Sequence, residues 1–255
     1  MHIRPTASAD IYDVSILADL AFQDEEFWRW LTPGMYNYPN DRTRFYRLRT
    51  RGRAVTKGGC ISLVAVTDDS DPEWSGREEI VGYAFWKRQG TSEQAKKWQK
   101  EPWGSILERN LLWVELQYER LINRAVDFKR WDNMITAFGS LQSQTDFPEQ
   151  WHCTVLGVSP KYRRRGIGSL LLNWGLEKAR EEGVPAVLEA TPAGVALYEK
   201  TGFKPVLEVG PEDTPEYFLT IMIWEPEELQ GQWLTEEAIQ RSRDRLREAP
   251  VVIRT

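Results

Sequence analysis

The chain has 255 residues, 41% of them hydrophobic and 28% charged, which suits one large domain, or one domain with an insertion, built around a real core. A formal charge of −5 argues against nucleic acid as the partner, and two cysteines give no disulfide framework. No apolar run is long enough to span a membrane and the start is not leader-like, so a soluble cytoplasmic protein is the expectation.

Ile3-Arg4-Pro5 reads as a short edge strand, where proline is tolerated. Ser8 or Asp10 caps a helix carrying Ile11, Val14, Leu17, Ala18 and Ala21 on one face. That helix breaks up around residues 27–34, and a second runs from near Asp41 to about Arg53. Residues 60–66 and 80–86 are strands rich in β-branched and aromatic side chains, and the acidic turn 67–72 between them is solvated rather than a metal site. Residues 90–150 are too many for a structureless loop. Stretches 92–100 and 105–128 have helical composition, with Ile106, Leu107, Leu111, Val114, Tyr118, Leu121 and Ile122 at roughly helical spacing.

A strand over 151–158 follows, then a helix carrying Leu170, Leu171, Trp174, Leu176 and Ala179 to a stop at Gly183. Residues 186–190 form a strand, 194–201 a short helix ending at Gly202, and 204–209 and 217–224 two more strands. Thr235 caps a charged helix reaching Glu248. Strands and helices alternating around one mixed sheet make an α/β domain over 1–225, containing the insertion 90–150, with a C-terminal helical extension at 226–255.

Between strand and helix, Arg163, Arg164 and Arg165 precede Gly166, Ile167, Gly168 and Ser169. Glycines there let the backbone approach a ligand, and the free amides of a helix start favour an anion. The spacing is not a dinucleotide fingerprint, since Leu171 stands where a third small residue belongs, nor a P-loop, since no lysine follows either glycine.

The pattern Arg163-x-x-Gly166-x-Gly168 resembles the acetyl-CoA-binding motif of the GNAT superfamily of acetyltransferases, Arg/Gln-x-x-Gly-x-Gly/Ala. Residues 156–160 before it look like that family's fourth strand and its exit, and 197–203 is similar to its LYxKxGF signature. The resemblance covers 151–224 well and 1–89 weakly. It implies the GNAT fold, a central mixed and mostly antiparallel sheet flanked by helices. The helical insertion between strands three and four stands where the family usually has a short turn. Beside strand four it reads as a lid over the acceptor site, or as a segment that packs on the sheet or mediates a homodimer.

The resemblance further implies acetyl-CoA as cofactor. The amides of Leu156, Gly157 and Val158 would hold the pantetheine and the thioester carbonyl, and the turn from Arg163 to Ser169 the diphosphate. Thr191 stands where many members carry an asparagine and has less reach. Phe27, Trp28, Trp30 and Tyr36 would form one wall of the acceptor pocket, the alternative being that they staple two helices together.

Acetyl transfer to an amine needs a base for the amine, stabilisation of the thioester oxygen and an acid for the leaving thiolate. The family's signature tyrosine matches Tyr198, whose phenol suits the acid step; the plainer alternative is packing. For the base, His152 lies in strand four, by strict alternation on the face of Thr154 and Leu156. Its unperturbed pKa of about 6.5 fits the task. Glu189 on strand five is the alternative and Glu115 in the insertion a third. Two functions stay open: an N-acetyltransferase acting on a small amine, and a non-catalytic acyl-CoA sensor.

Overall fold

Runs of β-branched and aromatic residues supply one open sheet in a computed structural model that describes residues 1–144, 147–211, 217–246 and 251–254. Its strands are β1 (His2–Pro5), β2 (Ile61–Val66), β3 (Ile80–Gln89), β4 (Gln150–Val158), β5 (Ala186–Ala190), β6 (Lys204–Pro211), β7 (Leu219–Trp224) and β8 (Val251–Arg254). They lie in the order β1-β2-β3-β4-β5-β7-β6-β8. Every neighbouring pair is antiparallel except β4 and β5, which run parallel. The mixed, mostly antiparallel sheet expected from the sequence is what forms. The stretch beyond residue 225 is not helical throughout, because its last strand, β8, pairs with β6 at the sheet edge.

Helices cover both faces. On one, α7 (Ile167–Glu182) buries Ile167, Leu171, Leu172, Leu176 and Ala179, a stripe at helical spacing, against Trp86, Trp151 and Leu188. Each such leucine withdrawn from water contributes roughly 1.5–3 kcal/mol. On the other, α1 (Ile11–Phe22) and α3 (Pro39–Ala54) set Val14, Leu17, Ala18 and Tyr46 against Val64, Val66, Tyr83 and Phe85. A short α2 (Glu26–Leu31) occupies the aromatic segment between them, and α8 (Val195–Lys200) and α9 (Glu236–Leu246) complete the later connections.

The insertion forms three helices: α4 (Glu93–Trp98), α5 (Trp103–Ile122) and α6 (Phe128–Gln144). The single helix expected over 105–128 stops early because the Asn123 side chain turns inward. Its amide donates to the Asp41 carbonyl, and its own carbonyl accepts from the amides of Ala125 and Val126. The α4 segment is anchored by Trp98, which meets Trp151 and Trp174 edge-on and donates its indole N–H to Glu182.

One irregularity positions the site. Between β3 and β4 the register shifts, so that Trp86 faces Cys153 and Phe85 faces Val155, leaving Thr154 as an extra residue whose hydroxyl donates to the Phe85 carbonyl at 3.2 Å. This bulge resets the alternation. Leu156 packs with Trp151 and Cys153 on the α7 face, while Val155 packs with Tyr83 and Phe85 on the other. The expectation that His152 shares a face with Leu156 is therefore corrected: strict alternation does not survive an inserted residue.

Candidate active site

Pairing between β4 and β5 covers only Trp151–Ala186, His152–Val187 and Cys153–Leu188. Past the bulge the two strands part, and the β4 edge from Leu156 to Val158 is left unpaired toward β5. A cleft of about 650 Å³ opens there and is lined by Leu156, Gly157 and Val158. At its mouth α7 begins. Gly166, in left-handed geometry at φ 82°, is its N-cap, with no side chain capping the first turn. The first amides of α7 are thus available to an anion, with the helix dipole behind them. Gly166 has open space where a Cβ would stand, and Ile167, Gly168 and Ser169 also line the cleft. These features fit a pyrophosphate-bearing ligand such as a coenzyme A ester.

The three arginines divide. Arg164, itself at φ 67°, lines the cleft. Arg163 also borders it, but its guanidinium donates to the Ala21 carbonyl at 2.7 Å, tying the turn to the end of α1. Arg165 points elsewhere, pairing with Glu73 at 3.0 Å and stacking over Tyr162. Three consecutive side chains on a turn cannot share one direction, so the triple positive charge read from the sequence is not assembled at the cleft.

Tyr198, on α8, lines the cleft, and its hydroxyl has no hydrogen-bond partner among the described residues. Burial, and then the neighbouring Cys153, Glu25 and Glu189, push the phenol well above its ordinary value. It therefore holds its proton throughout the neutral range. Cys153 is a free thiol on the same wall, and burial and then Glu189 raise it as well.

His152 and Glu189 meet across β4 and β5, with Nε2 to Oε2 at 2.9 Å. Glu189 reaches the cleft; His152, 1% exposed, stands behind it and is not part of the lining. Nδ1 of His152 is buried with no partner. Glu115 is removed from consideration, because it is not among the residues lining the cleft and pairs instead with Arg51 of α3 at 2.7 Å. The sequence reading missed Glu25. It lines the cleft between Thr191 and Arg163, and burial, only partly offset by the Thr191 hydroxyl and Arg163, raises its pKa. It sits in the run Gln23-Asp24-Glu25-Glu26, where no pattern distinguishes the inward carboxylate from its neighbours.

Of the four aromatic residues expected at the acceptor wall, Phe27 and Trp28 line the cleft. Trp30 turns away to stack on Tyr217 at 5.2 Å, with Arg130 over its ring, and Tyr36 is 71% exposed on a turn. The missing part of the wall comes from the insertion, through Trp131, Met134 and Ile135 of α6. Arg49 and Arg53 of α3 complete it.

A cleft between two parted parallel strands, with uncapped helix amides at its mouth and ionisable side chains on its walls, suits a coenzyme A thioester and the chemistry of an acyltransferase. A family model described as the Acetyltransferase (GNAT) family matches residues 22–203, well over half of the chain, and the chain belongs to that family. It is similar to an acetyltransferase of Stachybotrys chartarum, 23% identical over 214 residues that cover 81% of this chain and 82% of that one. A stretch of 42 residues, 16% of this chain and 31% of the other, is 48% identical to the probable acyltransferase SID5 of Ajellomyces capsulatus. Among solved structures, one described as histone acetyltransferase HPA2 and related acetyltransferase, from Corynebacterium glutamicum, matches with a TM-score of 0.51 at 20% identity, covering 88% of this chain and 96% of that one. No described helix is long and apolar enough to cross a membrane.

Proposed function

We propose that this protein transfers the acetyl group of acetyl-CoA directly to the amine of a small-molecule acceptor. The observation that carries the reading is the parting of β4 from β5 beyond Cys153, which opens unpaired backbone onto a cleft holding both Tyr198 and Glu189. Acetyl-CoA, when bound, supplies an activated acetyl thioester. The amides of Gly166 to Ser169 and the Arg164 side chain would hold its diphosphate. The free edge of Leu156 to Val158, together with Thr191, would hold the pantetheine and polarise the thioester carbonyl.

Glu189 takes the proton of the acceptor amine, because it reaches the cleft. His152 is a positioning residue that donates Nε2–H to the Glu189 carboxylate and fixes its direction. Tyr198 keeps its phenolic proton for the departing thiolate. Cys153, kept as a neutral thiol by burial, offers no thiolate to accept the acetyl group, which supports direct transfer over a covalent relay. The α6 wall encloses the acceptor end, favouring a small molecule over an extended protein tail. Release of free thiol from acetyl-CoA, measured with a panel of amines, tests the reading. Tight CoA binding with no thiol release for any amine would establish the sensor instead.

A homodimer is supported by the outer face of α5. Trp103, Leu107, Leu111, Val114, Tyr118 and Leu121 recur every three or four residues on the side away from α3 and are exposed, Trp103 and Leu121 to 86% and 85%. At roughly 100–200 Å² each they present on the order of 800 Å², the share one partner brings to a stable interface. The flanking Glu108 and Glu115 share Arg51, which leaves one net negative charge, and the other flank carries the neutral Asn110 and Gln117, so little like-charge repulsion opposes the meeting of two copies. Sedimentation of the parent against Leu111→Glu checks this: a dimer turning to monomer is expected, and a parent that is already monomeric refutes it.

A further inference from the structure

Six arginines lie on α3, and the fold treats them unequally. Arg42 pairs with Asp19 at 2.7 Å, Arg44 with Glu119 at 2.8 Å, and Arg51 with both Glu108 and Glu115. Elsewhere, the deeply buried Arg88 is held by two carboxylates, Glu149 and Glu182, each at 2.7 Å. Arg49 is buried almost as deeply, 8% exposed, yet has no carboxylate or hydrogen-bond acceptor among the described residues. Its guanidinium is sandwiched between Trp28 at 4.2 Å and Trp131 at 4.9 Å. Arg53, one turn further along and half-buried, is likewise without an anionic partner among the described residues. Both side chains border the cleft, on the wall built by α2, α3 and α6 rather than the one built by the glycine turn.

Burying a guanidinium without a counter-charge is costly, and two together repel one another. Burial and the Arg53 charge push Arg49 below its ordinary pKa. Ring faces offset part of that cost but accept no hydrogen bonds. A guanidinium packed between two rings is fixed in direction, and its donors match a carboxylate fork. The same cleft carries Glu189 and Glu25, so it offers carboxylates and guanidiniums from different elements.

We infer that the acceptor carries a carboxylate as well as an amine: Arg49 and Arg53 bind its anionic end while its amine is presented to Glu189. The substrate class is thus amino acids and related amino-carboxylates rather than polyamines or simple amines. This rests on the acetyltransferase reading of the same cleft.

Matched pairs differing only in the carboxylate test it: ornithine against putrescine, lysine against cadaverine, phenylalanine against phenethylamine. At least one amino acid is expected to exceed its decarboxylated partner by about 10–100-fold in kcat/KM, the range of a charged hydrogen-bonded contact. Amines acetylated as well as, or better than, their carboxylated partners overturn the inference while leaving the acetyltransferase reading standing. No thiol release for any pair overturns the reading itself. Binding is read separately, without turnover, by quenching of Trp28 and Trp131 fluorescence on titrating the preferred amino acid. Arg49→Gln and Arg53→Gln should each raise its KM at least tenfold and weaken the quench, without changing the KM for acetyl-CoA. Because neither arginine holds a structural ion pair, the melting temperature of Arg53→Gln should match the parent, whereas Arg88→Gln should lower it. Both cleft variants binding the amino acid as the parent does overturns the inference.

Discussion

Removing the phenolic oxygen of Tyr198 separates chemistry from binding. The hydroxyl borders the cleft and has no partner among the described residues, so Tyr198→Phe leaves no buried group unpaired, and the ring keeps its edge contact with Phe203 at 6.0 Å. The melting temperature should move by no more than about 2 °C. Burial first, then Cys153, Glu25 and Glu189, hold the phenol protonated, so at neutral pH the whole population carries the proton the thiolate requires. A positioned acid contributes about 10²–10⁴-fold, or roughly 3–5 kcal/mol of barrier. Thiol release under steady state should show kcat falling within that range, while the dissociation constant for CoA, from calorimetry, changes by less than about threefold. A kcat within about threefold of the parent would assign Tyr198 to packing and leave another proton source to be found.

Glu189→Gln should lower kcat at least about 100-fold, whereas His152→Gln, which removes only the group behind the carboxylate, should lower it about tenfold; a larger loss at His152 would make the histidine the base. A Cβ at Gly157 would stand 2.5 Å from Cε1 of the buried Tyr83, so Gly157→Ala should cost about 1–3 kcal/mol in denaturant unfolding and raise the KM for acetyl-CoA, and an unchanged KM would detach this edge from the cofactor. The Glu149 carboxylate sits at about 2 rather than 4.5: burial alone would raise it, but the Ser92 hydroxyl and amide, the Thr91 amide and Arg88 outweigh that. A depressed folded value places its contribution fully above pH about 4.5 and removes it as the pH falls toward 2. Acid titration followed by Trp98 fluorescence should therefore show α4 loosening across that window, and Glu149→Gln should flatten the change; identical curves would refute the coupling.

The donor half of the site was legible because it depends on local chain chemistry. Glycines beside a helix start and a strand before them announce themselves by spacing, and the structure places them where that spacing says. What could not be read was anything set by a non-periodic event. The extra residue at Thr154 reverses the inward face of β4, and no composition rule marks it. The insertion was recognised as helical, but its contribution of Trp131, Met134 and Ile135 to the cleft follows from the turn at Asn123, a tertiary matter of one side chain reaching Asp41. Trp28 and Trp30 were indistinguishable in sequence because a short helix points neighbouring rings to different sides. Nothing in the sequence sets Arg49 apart from the other arginines of its helix, since burial without a partner has no one-dimensional signature.

The parted strands carry an evolutionary corollary. In the proposed reading, peptide groups, which every sequence possesses, grip the thioester end, whereas the wall at the opposite end is furnished largely by side chains of three separate helices, with Glu25 and Glu189 beside them. Divergence can rewrite the second without disturbing the first, so acceptor choice is free to drift while the carrier stays the same. Directed evolution of new specificities in this molecule should begin on α2, α3 and α6 and leave the β4 exit alone.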